Sequence, residues 1–316
     1  FHNIHYVREG NVLTPAGLTE FAKDRSFGYE SSLLPEYIEE KTSGLYSAEQ
    51  CICIALEDIR SFQIEKIEKQ LMEAKNFQKI IVNAVCYGDL KVFCAAFISV
   101  LKNGKRFLVR SAAGFPKVLA GIEDRPLLNR TDLVDEKDQN GGIVLIGSHV
   151  KKTTCQLEEL VRSEKEIVFL EFNVNSWFRE QGLWQEQQRI IRQAEEMVKT
   201  GRTVVIYTSR KLLVPETSDK DEILKASVDI SNAVTGIIGQ FSVKPRFIIA
   251  KGGITSSDVG TRALRVKKAF VMGQIRKGIP VWKTGEESKF PGMPYIIFPG
   301  NVGEVSDLRE IVEELM

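Results

Sequence analysis

Strand-like and helix-like segments alternate along most of this chain, and that alternation restricts the fold more than any other feature. In the second half, short apolar runs recur at intervals that leave room for a helix between them. Such spacing favours parallel strands, because a parallel neighbour requires a crossover connection of a dozen or more residues. We predict strands there at Ile143–Ile146, Ile167–Phe172, Thr203–Tyr207, Phe247–Ala250, Ala269–Met272 and Tyr295–Phe298.

The segments between these strands carry the periodicity of amphipathic helices. The clearest is Trp184–Val198, in which apolar residues form one stripe and Gly201 is placed to end the helix. Further helices are predicted at Thr153–Val161 and Asp221–Phe241, with a last one close to the C-terminus. The predicted fold class is therefore α/β, with two domains built on mainly parallel open sheets flanked by helices.

The first half shows a shorter version of the same pattern, with strands predicted at Gln50–Leu56, Lys79–Ala84 and Arg106–Arg110. A polar, turn-rich stretch then interrupts the alternation. Since 316 residues suggest two domains, we predict a first domain at 1–123, a linker at 124–141 and a second domain at 142–316. The chain enters a strand-like segment directly after Phe1, so we interpret the first domain as incomplete and the chain as a fragment of a longer protein.

Charge and cysteine content restrict the partners and the compartment. The 43 basic side chains are balanced by 42 acidic ones, which argues against wholesale binding to nucleic acid or an anionic membrane. No apolar run approaches the 20 or so residues that a membrane-spanning helix needs. The five cysteines are scattered and odd in number, unlike a disulfide framework. We therefore expect a cytoplasmic protein with neither a nucleic-acid nor a membrane partner.

Three predicted strands run into turns of similar chemistry. In an open α/β sheet, ligands bind outside the carboxyl ends of the strands, where glycine permits close approach and helix N-termini offer free N–H groups to an anion. Taken singly, each turn is explained by helix capping, but three at one predicted edge indicate a phosphate site. Its candidate residues are Gly147, Ser148, Gly252, Gly253, Ile254, Thr255, Gly300 and Asn301.

Two further points qualify that site. The glycine patterns GxGxxG and GxxxxGK[ST] are absent from the chain, which disfavours a two-domain NAD oxidoreductase or a P-loop enzyme. Asp258 follows the second of the three turns, and two roles for it are left open. It either caps its helix or helps to hold Mg²⁺ beside a phosphate.

At these turns the chain resembles the four-carbon acid sugar kinase family, whose members include ATP-dependent kinases acting on threonate, erythronate and related sugar acids. In the second domain the resemblance rests on Lys251–Asp258, Val271–Gln274, Gly278–Trp282 and Phe298–Gly303, and on Tyr207–Arg210 and Gly147-Ser148 with Thr154 and Gln156. In the first domain it rests on Glu20–Asp24, Phe27–Tyr29, Ser32 and Glu40–Thr42, with Arg110–Ala113 resembling that domain's last strand and helix.

The resemblance implies transfer of the ATP γ-phosphoryl group, with Mg²⁺, to a hydroxyl of a small sugar acid. It places ATP against Ser148, the Gly252–Thr255 segment and the Gly300-Asn301 turn. The Asp-rich motif with which the family begins has no counterpart here, so the catalytic residues are unknown, the base is expected upstream, and the chain alone is predicted to be inactive. A nucleotide-binding or regulatory module without phosphoryl transfer is the alternative, and a homodimer is left open.

Overall fold

A computed structural model describes residues 1–23, 27–210 and 220–316. Asp24, the last residue of one family-like segment, lies outside these described residues. The chain divides into two compact units, Phe1–Asp124 and Arg125–Met316, and each is described by itself.

Two small sheets and short helices make up the first unit. Strand β1 pairs antiparallel with β2, and β3 pairs in parallel with β4. The strands are β1 (Tyr6–Glu9), β2 (Val12–Pro15), β3 (Ile52–Ile54) and β4 (Ile80–Val82). The α-helices are α1 (Leu34–Lys41), α2 (Leu56–Arg60), α3 (Ile64–Glu73), α4 (Tyr87–Lys102) and α5 (Gly114–Leu119).

The core of the first unit forms where α3 and α4 pack beside β3 and β4. Apolar residues spaced by four, such as Ile67 with Leu71 and Phe93 with Phe97, are buried in it. The strand predicted at Arg106–Arg110 is wrong, because this segment has no regular structure. Phe107 packs on Phe97, with ring centroids 5.0 Å apart. Leu108, in contrast, is 92% exposed.

Family-like residues near the start of this unit hold its loops together. The Glu40 carboxylate accepts hydrogen bonds from the backbone N–H groups of Glu30 and Ser31, at 3.0 Å and 3.2 Å. The Lys41 ammonium donates to the carbonyl of Gly28 at 3.1 Å. These contacts attach the irregular segment 27–33 to α1, which follows it.

A seven-stranded sheet organises the second unit. Its strands are β5 (Ile143–Ile146), β6 (Ile167–Phe172), β7 (Thr203–Thr208), β8 (Ile248–Lys251), β9 (Ala269–Arg276), β10 (Ile279–Thr284) and β11 (Pro294–Phe298). Its α-helices are α6 (Arg130–Leu133), α7 (Lys151–Val161), α8 (Gly182–Lys199), α9 (Lys220–Gln240), α10 (Gly253–Asp258) and α11 (Asp307–Leu315), and a π-helical turn, Val259–Ala263, continues α10.

The order of the strands is β6-β7-β5-β8-β11-β10-β9. The first five in that order are parallel, and β10 is antiparallel to both of its neighbours. The predicted α/β class, with a mainly parallel sheet flanked by helices, is confirmed. The sequence prediction missed β10, which contains Pro280, a residue that cannot donate to a sheet ladder. The register shifts between Ile279 and Pro280 accommodate it.

Helices cover both faces of this sheet. Within β5, Ile143 and Leu145 belong to one buried cluster, while Val144 and Ile146 belong to the other. A strand that is buried on both faces must be apolar at every position. This requirement explains the continuous apolar run that marked β5 in the sequence.

Apart from its first residue, Asp124, the segment predicted as a linker, 124–141, lies within the second unit. Leu133 of α6 and the neighbouring Val134 are buried in the cluster that contains α11, and the N–H of Leu128 donates to the carbonyl of Gln274 in β9 at 2.9 Å. The charged composition of the segment 124–141 therefore reflects an exposed surface around a few apolar side chains that anchor it.

In the described ranges, no helix combines the length and the apolar character needed to cross a membrane. All five cysteines are free thiols. Of these, Cys94 is buried in α4 and Cys86 is exposed at the start of the same helix.

Candidate functional site

The three turns singled out in the sequence emerge from three adjacent strands, β5, β8 and β11. Ile146 is in register with Lys251, and Lys251 is in register with Phe298, so the strands end at the same level. Backbone hydrogen bonds continue across the ends, from Gly147 N–H to Lys251 O at 3.2 Å and from Gly252 N–H to Phe298 O at 2.8 Å. The predicted residues therefore lie side by side at the carboxyl edge of the sheet.

Glycine is required at these strand ends because side chains of the neighbouring turns leave no room for a Cβ, or because the backbone adopts a positive φ. A Cβ on Gly147 would lie 2.3 Å from Thr255 Oγ1, and a Cβ on Gly300 would lie 2.7 Å from Ser148 Oγ. Gly252 adopts φ +127°, a backbone conformation that residues other than glycine rarely adopt. From the sequence these glycines are expected to allow close approach of a ligand. At Gly147 and Gly300, however, the groups that approach closely are hydroxyl side chains of the adjacent turns.

Gly253 is the exception, because a Cβ at this position would meet no atom within 4 Å. It begins α10, and the next residue, Ile254, is 74% exposed. The first backbone bond into the helix runs from Ser256 N–H to Gly252 O. Within the described ranges, the N–H groups of Gly253, Ile254 and Thr255 therefore have no acceptor, and they are available to donate to a ligand.

The third turn, after β11, is held from behind by side chains. Thr153 Oγ1 donates to the carbonyl of Gly300 at 2.9 Å, and Gln156 Nε2 donates to the carbonyl of Glu304 at 2.8 Å. The Lys251 ammonium donates to the carbonyl of Pro299 at 2.8 Å. Because a trans peptide directs its C=O and N–H to opposite sides, these bonds leave the following N–H groups on the other face of the turn.

Lys251 is a residue of the site that its sequence context does not reveal. It begins the family-like run Lys251–Asp258, and a lysine at a strand end is ordinarily exposed. In the structure it is fully buried, with its ammonium 3.7 Å from the centroid of the Phe298 ring. Burial, reinforced by the charge of Lys152 and opposed by that of Asp307, lowers the pKa of Lys251 to about 7.

Arg210 links the end of β7 to the turn that follows β5. Its guanidinium donates to the carbonyl of Ser148 at 2.9 Å and to Thr154 Oγ1 at 2.6 Å. Thr154 and Arg210 both belong to the family-like residues of the sequence, and these bonds show that they fix the Ser148 turn.

Asp258 lies at the far end of α10, and its carboxylate pairs with Arg262 at 3.4 Å. It makes no capping hydrogen bond, so the capping role considered for it is wrong. Within the described part of the chain, no three carboxylate, imidazole or thiol groups are clustered so that they could hold a metal ion. A role for Asp258 beside Mg²⁺ stays a prediction.

The glycine-rich turns with free amide groups lie at the carboxyl edge of a mostly parallel sheet, which is the place where open α/β domains bind ligands. Residues 143–308 match the family model described as a nucleotide-binding C-terminal domain, and residues 1–119 match the one described as a sugar-binding N-terminal domain. The chain belongs to the family that combines these two domains, which is the architecture of four-carbon acid sugar kinases.

Solved structures of low sequence identity share the fold. A Haemophilus influenzae protein from a family of domains of unknown function aligns with a TM-score of 0.56 and 17% identity, over 99% of this chain and 72% of that one. A Salmonella typhimurium protein provisionally named a tRNA synthase aligns with a TM-score of 0.63 and 13% identity, over 97% of this chain and 69% of that one. No protein of curated function matches the chain.

Proposed function

We propose that this protein is an ATP-dependent kinase that phosphorylates a hydroxyl of a four-carbon sugar acid of the threonate or erythronate type. The observation that carries the proposal is the convergence of three strand-end turns, with unpaired amide groups, in a nucleotide-binding domain. The sugar-binding domain in the same chain supports a carbohydrate acceptor. The resemblance in the sequence supports a four-carbon acid as that acceptor.

In this proposal the phosphate chain of ATP lies across the turns after β5, β8 and β11. The free N–H groups of Gly253, Ile254 and Thr255 donate to phosphate oxygens, and the open space at Gly253 allows the phosphate to approach the backbone. Ser148 and Asn301 flank this position in the adjacent turns. ATP supplies the phosphoryl group, and the contribution of these residues is to fix its position and to neutralise its charge.

Magnesium is part of the same proposal. Mg²⁺ keeps several waters and is usually held by one or two carboxylates together with the substrate phosphates, so it does not require a dedicated protein cage. Asp258 is the candidate carboxylate, and it would have to exchange its contact with Arg262.

Calorimetric titration of the chain with Mg-ATP tests the nucleotide site. We expect saturable binding and a rise in the melting temperature, because a ligand that binds only the folded state stabilises it. A chain that binds no nucleotide would refute the proposal.

Release of ADP in the presence of a panel of four-carbon sugar acids tests the transfer. Turnover that depends on one of these acids supports the kinase. Because the chain alone is predicted to be inactive, the assay is also run on a protein that carries the upstream segment expected to supply the base. Nucleotide binding without turnover of any acid by that protein would support the alternative, a nucleotide-binding or regulatory module.

A further inference from the structure

Lys251 is a buried cation that pairs with no described carboxylate within 4 Å. Its ammonium instead donates to the carbonyl oxygens of Pro299, at 2.8 Å, and of Gly300, at 3.5 Å. An isolated buried charge is costly unless hydrogen bonds compensate for the loss of water. Lys251 ends β8 and directly precedes the Gly252–Thr255 segment, so its hydrogen bonds stabilise the backbone beside the proposed nucleotide site.

The carbonyls that Lys251 binds belong to the turn that carries Asn301. The carbonyl of Gly300 receives a second hydrogen bond, from Thr153 Oγ1 at 2.9 Å. In the planar peptide between Gly300 and Asn301, a carbonyl held on the buried side keeps the Asn301 N–H on the opposite side. In the described part of the chain that N–H has no acceptor, so it is free to donate to a ligand at the sheet edge.

Two charged side chains influence the protonation of Lys251. Lys152 of α7 repels it, Asp307 of α11 attracts it, and the Phe298 ring of β11 packs against it. With burial as the largest influence, the pKa of the amine is lowered to about 7. Near neutral pH, part of the protein therefore holds a neutral amine behind the turn, which is a weaker hydrogen-bond donor than an ammonium group.

We propose that Lys251 is a positioning residue of the nucleotide site, which holds the Pro299–Asn301 turn when protonated and so couples nucleotide binding to the uptake of a proton. This inference rests on the proposed nucleotide site. A polyanionic phosphate chain at the sheet edge favours the charged form of a nearby amine. The neutral amine therefore takes a proton from solvent as the nucleotide binds, and no other covalent change is involved.

The sign of the pH dependence follows from this coupling. Below about pH 7 the amine is already protonated in the free protein, so binding takes up no proton and affinity is highest. Above that pH, binding must also protonate Lys251, and affinity falls by at most about tenfold per pH unit. The fall ends where the amine of the complex itself loses its proton.

Calorimetry of Mg-ATP binding to the whole chain tests the coupling between pH 7.5 and pH 9, in two buffers of different ionisation enthalpy. For the wild type we expect uptake of up to about one proton per nucleotide and a Kd that rises with pH. Lys251→Met should bind more weakly, with no uptake and a flat pH profile. Lys251→Arg, which stays charged over this range, should also have a flat profile.

Lys165→Met is the matched control, because Lys165 is exposed and precedes β6 at the opposite edge of the sheet. It should retain the proton uptake of the wild type. The inference is overturned if wild-type binding takes up no proton, or if Lys251→Met retains the uptake. If Lys251→Met does not fold, Lys251→Arg decides, because proton uptake that persists in this variant must come from another group and would overturn the inference. A wild type that binds no nucleotide at any pH overturns the proposed function as well, whereas binding without proton uptake overturns only the role of Lys251.

Discussion

Gly147→Ala should reveal how tightly the first two strand-end turns are packed together. The added Cβ would lie 2.3 Å from Oγ1, 3.2 Å from Cγ2 and 3.3 Å from Cβ of Thr255. Rotating the Thr255 side chain exchanges one close contact for another, because its Cβ is branched. Relief therefore requires the backbone of the Gly147 turn or of α10 to move.

Overpacking of this kind costs about 1–3 kcal/mol of unfolding free energy. The same displacement moves the free amide groups of α10, so nucleotide affinity should fall together with stability. Removing the Thr255 side chain in Gly147→Ala/Thr255→Ala takes away the clash. We expect the double variant to recover at least about 1 kcal/mol relative to the sum of the two single variants, a coupling within the range seen for residues in contact.

Urea unfolding followed by tryptophan fluorescence measures this coupling, because the signal reports on the second unit, which contains both residues. Trp177, Trp184 and Trp282 are the three tryptophans of the chain, and all of them belong to the Arg125–Met316 unit. Each variant is unfolded at one temperature, and the unfolding free energies are combined in a double-mutant cycle. Additive effects within about 0.5 kcal/mol would show that the contact between Gly147 and Thr255 does not limit the packing, and the steric argument would fail.

Three further predictions concern single side chains. Gly253→Ala should leave the unfolding free energy unchanged or raise it by up to about 1 kcal/mol. Calorimetry should nevertheless show binding of Mg-ATP that is weaker by about fivefold or more, because the methyl group fills the open space. Unchanged affinity would place the phosphates elsewhere. Thr153→Val removes the hydroxyl bound to Gly300 O at 2.9 Å and should weaken binding by about 1 kcal/mol, whereas a normal Kd would show that the turn holds without it. The Arg60 hydrogen bond, helped by backbone N–H groups, holds the pKa of Asp89 at about 2, so this carboxylate stabilises the first unit above about pH 4 and the contribution is lost as pH falls towards 2. Asp89→Asn should flatten that acid-induced loss, measured by helical circular dichroism at a series of pH values, and an unchanged acid profile would contradict the assignment.

Local patterns in the sequence predicted most elements of the second unit. The apolar run of β5 and the stripe along α8 were sufficient, because a strand buried on both faces and an amphipathic helix each impose their own periodicity. The same reasoning failed for Arg106–Arg110, where Phe107 contacts the core but no strand among the described residues pairs with the segment. It also failed for β10, because Pro280 reads as a break and the strand exists only where two partners accommodate it.

The candidate site, too, could be predicted only in part from local sequence. The sequence alone indicated three turns with phosphate-binding character, because glycine, hydroxyl side chains and strand ends are local properties of the chain. Only the tertiary structure decided that β5, β8 and β11 are neighbours, since their order in the sheet depends on crossovers between distant segments. It also decided that hydroxyl groups of adjacent turns crowd Gly147 and Gly300 while Gly253 faces open space, and that Lys251 is buried. Solvent exposure and the pKa that follows from it are set by residues far apart in the chain, which no local pattern contains.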